Sequence, residues 1–181
     1  MPQLIFINGA PGSGKSTLAR RLVDSRPLAL LLDVDTVRGQ LGQWRENPRS
    51  AGLTARRIAL EMARTHLTAG LDVVVPQFIE RPGFIEDVRA VAIDTGADFV
   101  LVALVSSPEE AASRFQERVG SSDANHLDAV HLQSVPGARR VEDMYAGMIE
   151  LLATYEDVRY VRSVAGDIDG NFAELSRRLA E

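Results

Sequence analysis

The sequence predicts an α/β fold built on a mainly parallel sheet, and three observations carry that expectation. Strand-like and helix-like patterns alternate along the whole chain. The strand-like runs are short and continuously apolar, as strands covered on both faces are. A glycine-rich loop, Gly9-Ala10-Pro11-Gly12-Ser13-Gly14-Lys15-Ser16, joins the first such run to the first helical one. Open α/β sheets bind ligands at that carboxyl edge.

Each element can be read in turn. The first strand is expected at about Gln3 to Asn8, centred on Leu4-Ile5-Phe6-Ile7. A helix follows from Ser16 to Ser25, stacking Leu18 on Leu22 and Ala19 on Val23. The second strand is Leu28 to Leu32, ending at Asp33, and Thr36 to Leu41 reads as a short helix after it. Beyond the polar run Gly42 to Ser50, a helix is expected over Thr54 to Ala69. It keeps Ala55, Ile58, Ala59, Met62 and Ala63 on one face and stops at Gly70. The third strand is Leu71 to Val75 and the fourth Phe99 to Val105.

Ser107-Pro108-Glu109-Glu110 then signals a helix start, with a Ser N-cap, Pro at the first position and Glu closing a capping box. That helix should bury Ala111, Phe115 and Val119. Gly120 to Asn125 is small and polar, and no clear period returns until about Arg139. A stretch of that length is a functional lid or disordered. Val141 to Tyr155 carries an apolar stripe of Val141, Met144, Tyr145, Met148, Leu151, Leu152 and Tyr155. A fifth strand at Val158 to Val161 precedes a last helix, Asp169 to Ala180, packing through Phe172, Leu175 and Leu179. With no repeat or linker in view, residues 1–181 are expected to form one domain, large enough to bury about 70% of its unfolded surface.

The glycine loop has the spacing G-x-x-x-x-G-K-[ST], which is a physical device. Gly9, Gly12 and Gly14 let the backbone curl with its N–H groups inward, around a triphosphate. Lys15 can reach the β- and γ-phosphates, and the Ser16 hydroxyl can take a Mg²⁺ position. Ser13 and Thr17 complete the nucleotide-binding set, and the helix dipole adds its positive end.

Asp33 and Asp35 come next in the argument. If the second strand continues, alternation puts both on one side at the carboxyl edge. One can orient and deprotonate an acceptor hydroxyl, for which Asp35 is the candidate; Asp33 can hold a Mg²⁺-bound water. A helix N-cap is the compatible structural alternative. Arg38, one turn after Asp35, is placed either to grip an anionic group on an acceptor or to lie on the surface. Trp44, the only tryptophan, can stack on a substrate ring or fold over the domain edge. Gln77 follows the third strand where nucleotide-hydrolysing machines carry an acidic residue. It can hydrogen-bond water or substrate but adds no charge.

Arg114 and Arg118 are i, i+4 neighbours just before the polar stretch, where they can meet the charge that develops on a transferring phosphoryl group, or simply pair with Glu110 and Glu117. Arg139 and Arg140 stand at its far end as lesser candidates. His66 reads as a packed or half-exposed side chain. His126 and His131, five apart with no cysteine in the chain, do not form a zinc site.

Composition narrows the class. The chain is 45% apolar and 25% charged, as soluble globular proteins are. The absence of cysteine removes disulfides and thiolate metal sites. No basic leader and no span long enough for a bilayer is visible, so a cytoplasmic protein with no membrane partner is expected. A net charge of −5 leans against a polynucleotide partner, although a local basic cleft stays open. ATP is the default donor, since no guanine-reading Asn-Lys-x-Asp motif appears.

Gly9 to Thr17, Asp35 with Arg38, and Arg114 with Arg118 together resemble the small P-loop kinases. The branch that they are most similar to holds polynucleotide 5′-kinases, chloramphenicol phosphotransferase and zeta-toxin-like kinases. The resemblance implies a P-loop NTPase fold, three-layer α/β/α, with a five-stranded parallel sheet and a mobile lid at about residues 114–140. It implies ATP and Mg²⁺ as cofactors, Lys15 and Ser16 on phosphate and metal, and Asp35 as general base. It also implies lid arginines on the transferring group and Arg38 on an acceptor phosphate. The expected function is ATP-dependent phosphorylation of a small-molecule hydroxyl. A polynucleotide 5′-hydroxyl kinase and a nucleotide sensor with little transfer activity are the alternatives, the second because Gln77 lacks a charge. Neither the acceptor nor the oligomeric state is readable.

Overall fold

The computed structural model describes residues 1–107, 109–111, 113 and 140–181. The lid expected at 114–140, including Arg114, Arg118, Arg139, His126 and His131, lies outside them apart from Arg140, as do Phe115 and Val119. Five strands form one all-parallel sheet in the order β2-β3-β1-β4-β5. They are β1 (Gln3–Gly9), β2 (Leu30–Leu31), β3 (Val73–Pro76), β4 (Asp98–Val105) and β5 (Val158–Arg162). The helices are α1 (Lys15–Asp24), α2 (Val34–Gly39), α3 (Pro48–Thr68), α4 (Gly83–Thr95), α5 (Val141–Leu152) and α6 (Ile168–Leu179).

The pleat of β1 explains the three layers. Leu4 and Phe6 enter one core with α3, α4 and α5, while Ile5 and Ile7 enter another with Leu18, Ala19, Leu22 and Val23 of α1 and Leu175 of α6. All four β1 side chains are fully buried, so β1 reads as an unbroken apolar run. The central strand therefore carries its loop, residues 9–14, to the middle of the sheet's carboxyl edge.

Several expectations need correction. The second strand shrinks to Leu30–Leu31: Leu28 takes a left-handed backbone (φ 54°) and is exposed, and its carbonyl is bonded by His66 Nε2 at 2.8 Å. Because β2 stops before Asp33, strand alternation does not align the two carboxylates. α3 begins at Pro48, six residues before the expected Thr54, with the proline in its first turn where the missing N–H costs nothing. Its buried ladder is Ala51, Ala55, Ala59, Ala63 and Leu67, while Ile58 and Met62 are exposed. α4 has no counterpart in the sequence reading. Met144 of the α5 stripe is half-buried rather than core, whereas α6 packs as expected, with Leu175 in the core and half-buried Phe172 and Leu179 against it. The capping box holds: the Glu110 N–H donates to Ser107 Oγ (3.1 Å) and the Ser107 N–H to Glu110 Oε2 (3.0 Å). Ala111 is buried as expected.

Candidate active site

The glycine loop is shaped by steric necessity. Gly12 and Gly14 hold φ of 83° and 85°, which L side chains avoid. A Cβ at Gly9 would lie 2.5 Å from Ser13 Oγ and 3.2 Å from Leu104 Cβ, so only glycine fits the crossing. Gly14 is the N-cap of α1 and gives its amides no side-chain partner. Helix-terminal N–H groups left in this way are donors for an anion. Lys15 opens the helix and Ser16 and Thr17 follow, both exposed at its mouth.

The carboxylates arrive from β2. Asp33 caps α2: its Oδ1 accepts from the N–H of Asp35 (2.9 Å) and of Thr36 (3.3 Å). Burial pushes the Asp33 carboxyl above its ordinary range and the negative charge of Asp35 pushes it further, while the Thr36 and Asp35 N–H groups, and after them Lys15, pull it back. Asp33 thus feels the charges of both Asp35 and Lys15, which come from different helices. Asp33 and Ser16 also line one cavity of about 330 Å³ with Arg20, Thr36, Gln40 and Met62. The exposure of Met62 is explained by that cavity. One carboxylate beside one hydroxyl, with room for water, fits the donor set Mg²⁺ accepts in nucleotide sites. Among the described residues no cluster of three His, Cys, Asp or Glu stands ready as an all-protein metal cage.

Asp35, in the first turn of α2, pairs with Arg38 Nη1 at 3.0 Å. Arg38 is largely covered, and its Nε is buried without a hydrogen-bond partner. Its guanidinium carbon lies 4.8 Å from the Trp44 ring centroid, and that of Arg45 lies 4.5 Å from it. Trp44 is therefore occupied by two cations and serves as their platform. Gln77 continues the edge from β3 with its N–H on the Ile7 carbonyl (3.1 Å), and its Oε1 is buried without a partner.

Asn8, Ser163 and Asn171 were not singled out in the sequence. Asn8 is fully buried; its Nδ2 donates to the Ile79 carbonyl (2.8 Å) and its Oδ1 accepts from the Ile79 N–H (3.0 Å). This fastens the segment after Gln77 to the root of the glycine loop. The signal was a lone polar residue closing an otherwise apolar strand. Ser163 donates from Oγ to the Ser13 carbonyl, and Asn171 bonds both backbone groups of Val164. Together, Gly12 to Gly14, Thr17, Leu18 and the 163–166 turn enclose a second cleft of about 410 Å³.

A family model described as "AAA domain" matches residues 4–136. The chain belongs to that family. No curated protein matches it. Among solved structures, this AAA-domain chain is similar to a gluconokinase from Sinorhizobium meliloti 1021 (18% identity, TM-score 0.64, covering 99% of this chain and 92% of that one). It is similar to the Mycobacterium tuberculosis APS kinase CysC in complex with AMPPNP and APS (19%, 0.65, 99% and 98%). It also resembles a chain of the Pnkp1/Rnl/Hen1 RNA repair complex (16%, 0.67, 86% and 47%). At these identities the likeness establishes the fold, which is the five-stranded parallel P-loop architecture expected from the sequence. No helix among the described residues is long and apolar enough to cross a membrane.

Proposed function

We propose that the chain is a Mg²⁺-dependent ATP phosphotransferase that moves the γ-phosphoryl group to the hydroxyl of a small-molecule acceptor. The observation that carries this reading is the cavity that Ser16, next to Lys15 at the mouth of α1, shares with Asp33 at the N-cap of α2. Gly9, Gly12, Ser13, Gly14, Lys15, Ser16 and Thr17 bind the triphosphate. Ser16 and Asp33 would hold Mg²⁺, which when bound offsets the charge of the phosphate oxygens. Asp35 takes the proton of the acceptor hydroxyl as its oxygen bonds to the γ-phosphorus, and the bond to the β,γ-bridging oxygen breaks to leave ADP. Arg38 steers Asp35 and meets the acceptor, with Trp44 holding Arg38 in place and Gln77 offering its free carbonyl oxygen. Arg114 and Arg118 supply charge to the transferring group.

A screen that follows ADP release over hydroxylated metabolites, antibiotics and short oligonucleotides tests the proposal. One acceptor should stimulate release strongly. Lys15→Ala should remove about 3–4 kcal/mol of transition-state stabilisation, as loss of one preorganised charged donor does. Turnover within a few-fold of the unmodified chain would reject the assignment. A polynucleotide 5′-hydroxyl kinase is the second reading, and the observation favouring it is local. Residues 36–57 hold five arginines and a single carboxylate, in a chain whose net charge is −5.

A further inference from the structure

We infer that Ser163 is a positioning residue for the phosphate-binding loop, acting through the Ser13–Gly14 peptide. The inference rests on the reading of residues 9–17 as a polyphosphate cup. Ser163 sits just past β5, and its N–H donates to the Val105 carbonyl at 2.8 Å, so it is held by the sheet. Its Oγ donates to the Ser13 carbonyl at 2.9 Å in a buried hydrogen bond, across 150 residues of chain. Both residues are at most 4% exposed.

A trans peptide is planar, with C=O and N–H on opposite edges. No peptide in the described chain is cis. Holding the Ser13 oxygen toward Ser163 therefore turns the Gly14 N–H the other way, to the side where the amides opening α1 are left for an anion. Glycine would not enforce this alone. At φ 85° Gly14 lies where glycine moves freely for want of a Cβ, so its own backbone preference does not fix the preceding peptide. The Ser163 hydroxyl removes that freedom, and a buried Ser13 carbonyl without it would seek another partner. The anchor is itself braced. Asn171 of α6, 8% exposed, donates from Nδ2 to the Val164 carbonyl and accepts the Val164 N–H on Oδ1, each at 2.8 Å. The fifth strand and the last helix thus set the direction of one amide in a loop formed by the first sixteen residues. Preorganised amides bind anions better than ones that must first rotate.

The test compares two β-branched replacements in the full chain. Ser163→Thr keeps the hydroxyl; Ser163→Val has the same shape without it. Magnesium pyrophosphate, which engages only the cup, is titrated calorimetrically well below all melting temperatures. The expected result is Ser163→Thr within twofold of the unmodified chain and Ser163→Val about five- to tenfold weaker, the effect of one buried neutral hydrogen bond. A purely structural role would lower the melting temperature of Ser163→Val and leave its pyrophosphate affinity intact, and that result overturns the inference. Should Ser163→Val fail to fold, Ser163→Ala takes its place with the same expected loss. An unmodified chain that does not bind magnesium pyrophosphate removes the nucleotide reading and this inference together; binding that is unchanged in the variant removes only the latter.

Discussion

Asp33 and Asp35 end the same short segment, yet their surroundings assign them different fates. Asp33 is half-buried and spends one oxygen on two α2 amides, whereas Asp35 is 38% exposed and paired with Arg38. Asp35→Asn removes the proposed base while leaving the nucleotide cup alone. Turnover should fall by roughly 10²–10⁴ with ATP affinity little changed, and stability should move by no more than about 1 kcal/mol, since the amide oxygen of asparagine can still accept from the largely covered Arg38. A collapse of ATP affinity with normal residual rates would make Asp35 a metal or folding residue. Asp33→Asn should behave differently. Asparagine caps a helix as well as aspartate does, but it ends the repulsion from Asp35 and the burial of a charge. The variant should melt higher than the unmodified chain in EDTA and should lose the magnesium dependence of nucleotide binding. A lower melting point would show that the fold needs this charge beside Lys15. The place of the two residues was legible, because residue type and strand end suffice to put a carboxylate at the sheet edge. Which one caps α2 was not, because that depends on where β2 stops: the strand ends at Leu31, and Asp33 turns its side chain to the Asp35 and Thr36 amides instead of continuing the pleat.

At the scale of elements, sequence periodicity finds helices and misjudges their faces. α3 turns its alanines inward because small side chains let it approach its neighbours closely, and no hydropathy ranking places Ala59 ahead of Ile58. α4 has a readable period in Phe84, Ile85, Val88, Val91 and Ala92, but it is rich in β-branched residues and opens at Pro82 without a side-chain cap. What fastens α4 to the chain beyond α5 is invisible in sequence. Tyr155 donates its hydroxyl to Glu86 Oε1 at 2.6 Å, and Arg89 pairs with Asp157 at 3.0 and 3.2 Å between the rings of Phe99 and Tyr155. Burial, and then the bond to Glu86, pushes the Tyr155 phenol up to about 12. The unfolded phenol titrates near 10. The neutral form is the one the fold favours, so this contribution is complete below pH 10 and is lost as pH rises toward 12. Tyr155→Phe should cost about 1 kcal/mol at pH 8 and should lose less stability than the unmodified chain between pH 10 and 12. Urea midpoints at three pH values would show it; parallel curves would assign the alkaline loss to other groups.

For the molecule as a whole, charge is unevenly spent. The chain carries −5 overall, yet residues 36–57 hold five arginines against Glu46 alone. Part of that excess is committed internally. Arg38 serves Asp35 and Trp44, Arg45 lies over Trp44, and Arg56 lies 5.2 Å from the Phe84 ring centroid. The cations that remain suit one anionic group on an acceptor better than a run of phosphates, and salt can tell these apart. Each phosphate of a single strand neutralised by protein releases about 0.7 of a counterion, so a strand held at three phosphates should bind roughly twentyfold more weakly after a fourfold rise in salt. An acceptor gripped through one charge should weaken by no more than about fourfold over the same range. The best acceptor from the ADP-release screen and a 5′-hydroxyl oligonucleotide, titrated side by side at about 50 and 200 mM salt, are expected to show the shallow dependence for the first and little binding for the second. Steep salt dependence together with phosphate transfer to the oligonucleotide end would mean that the local arginines outweigh the acidic whole, and the acceptor would then be a nucleic acid.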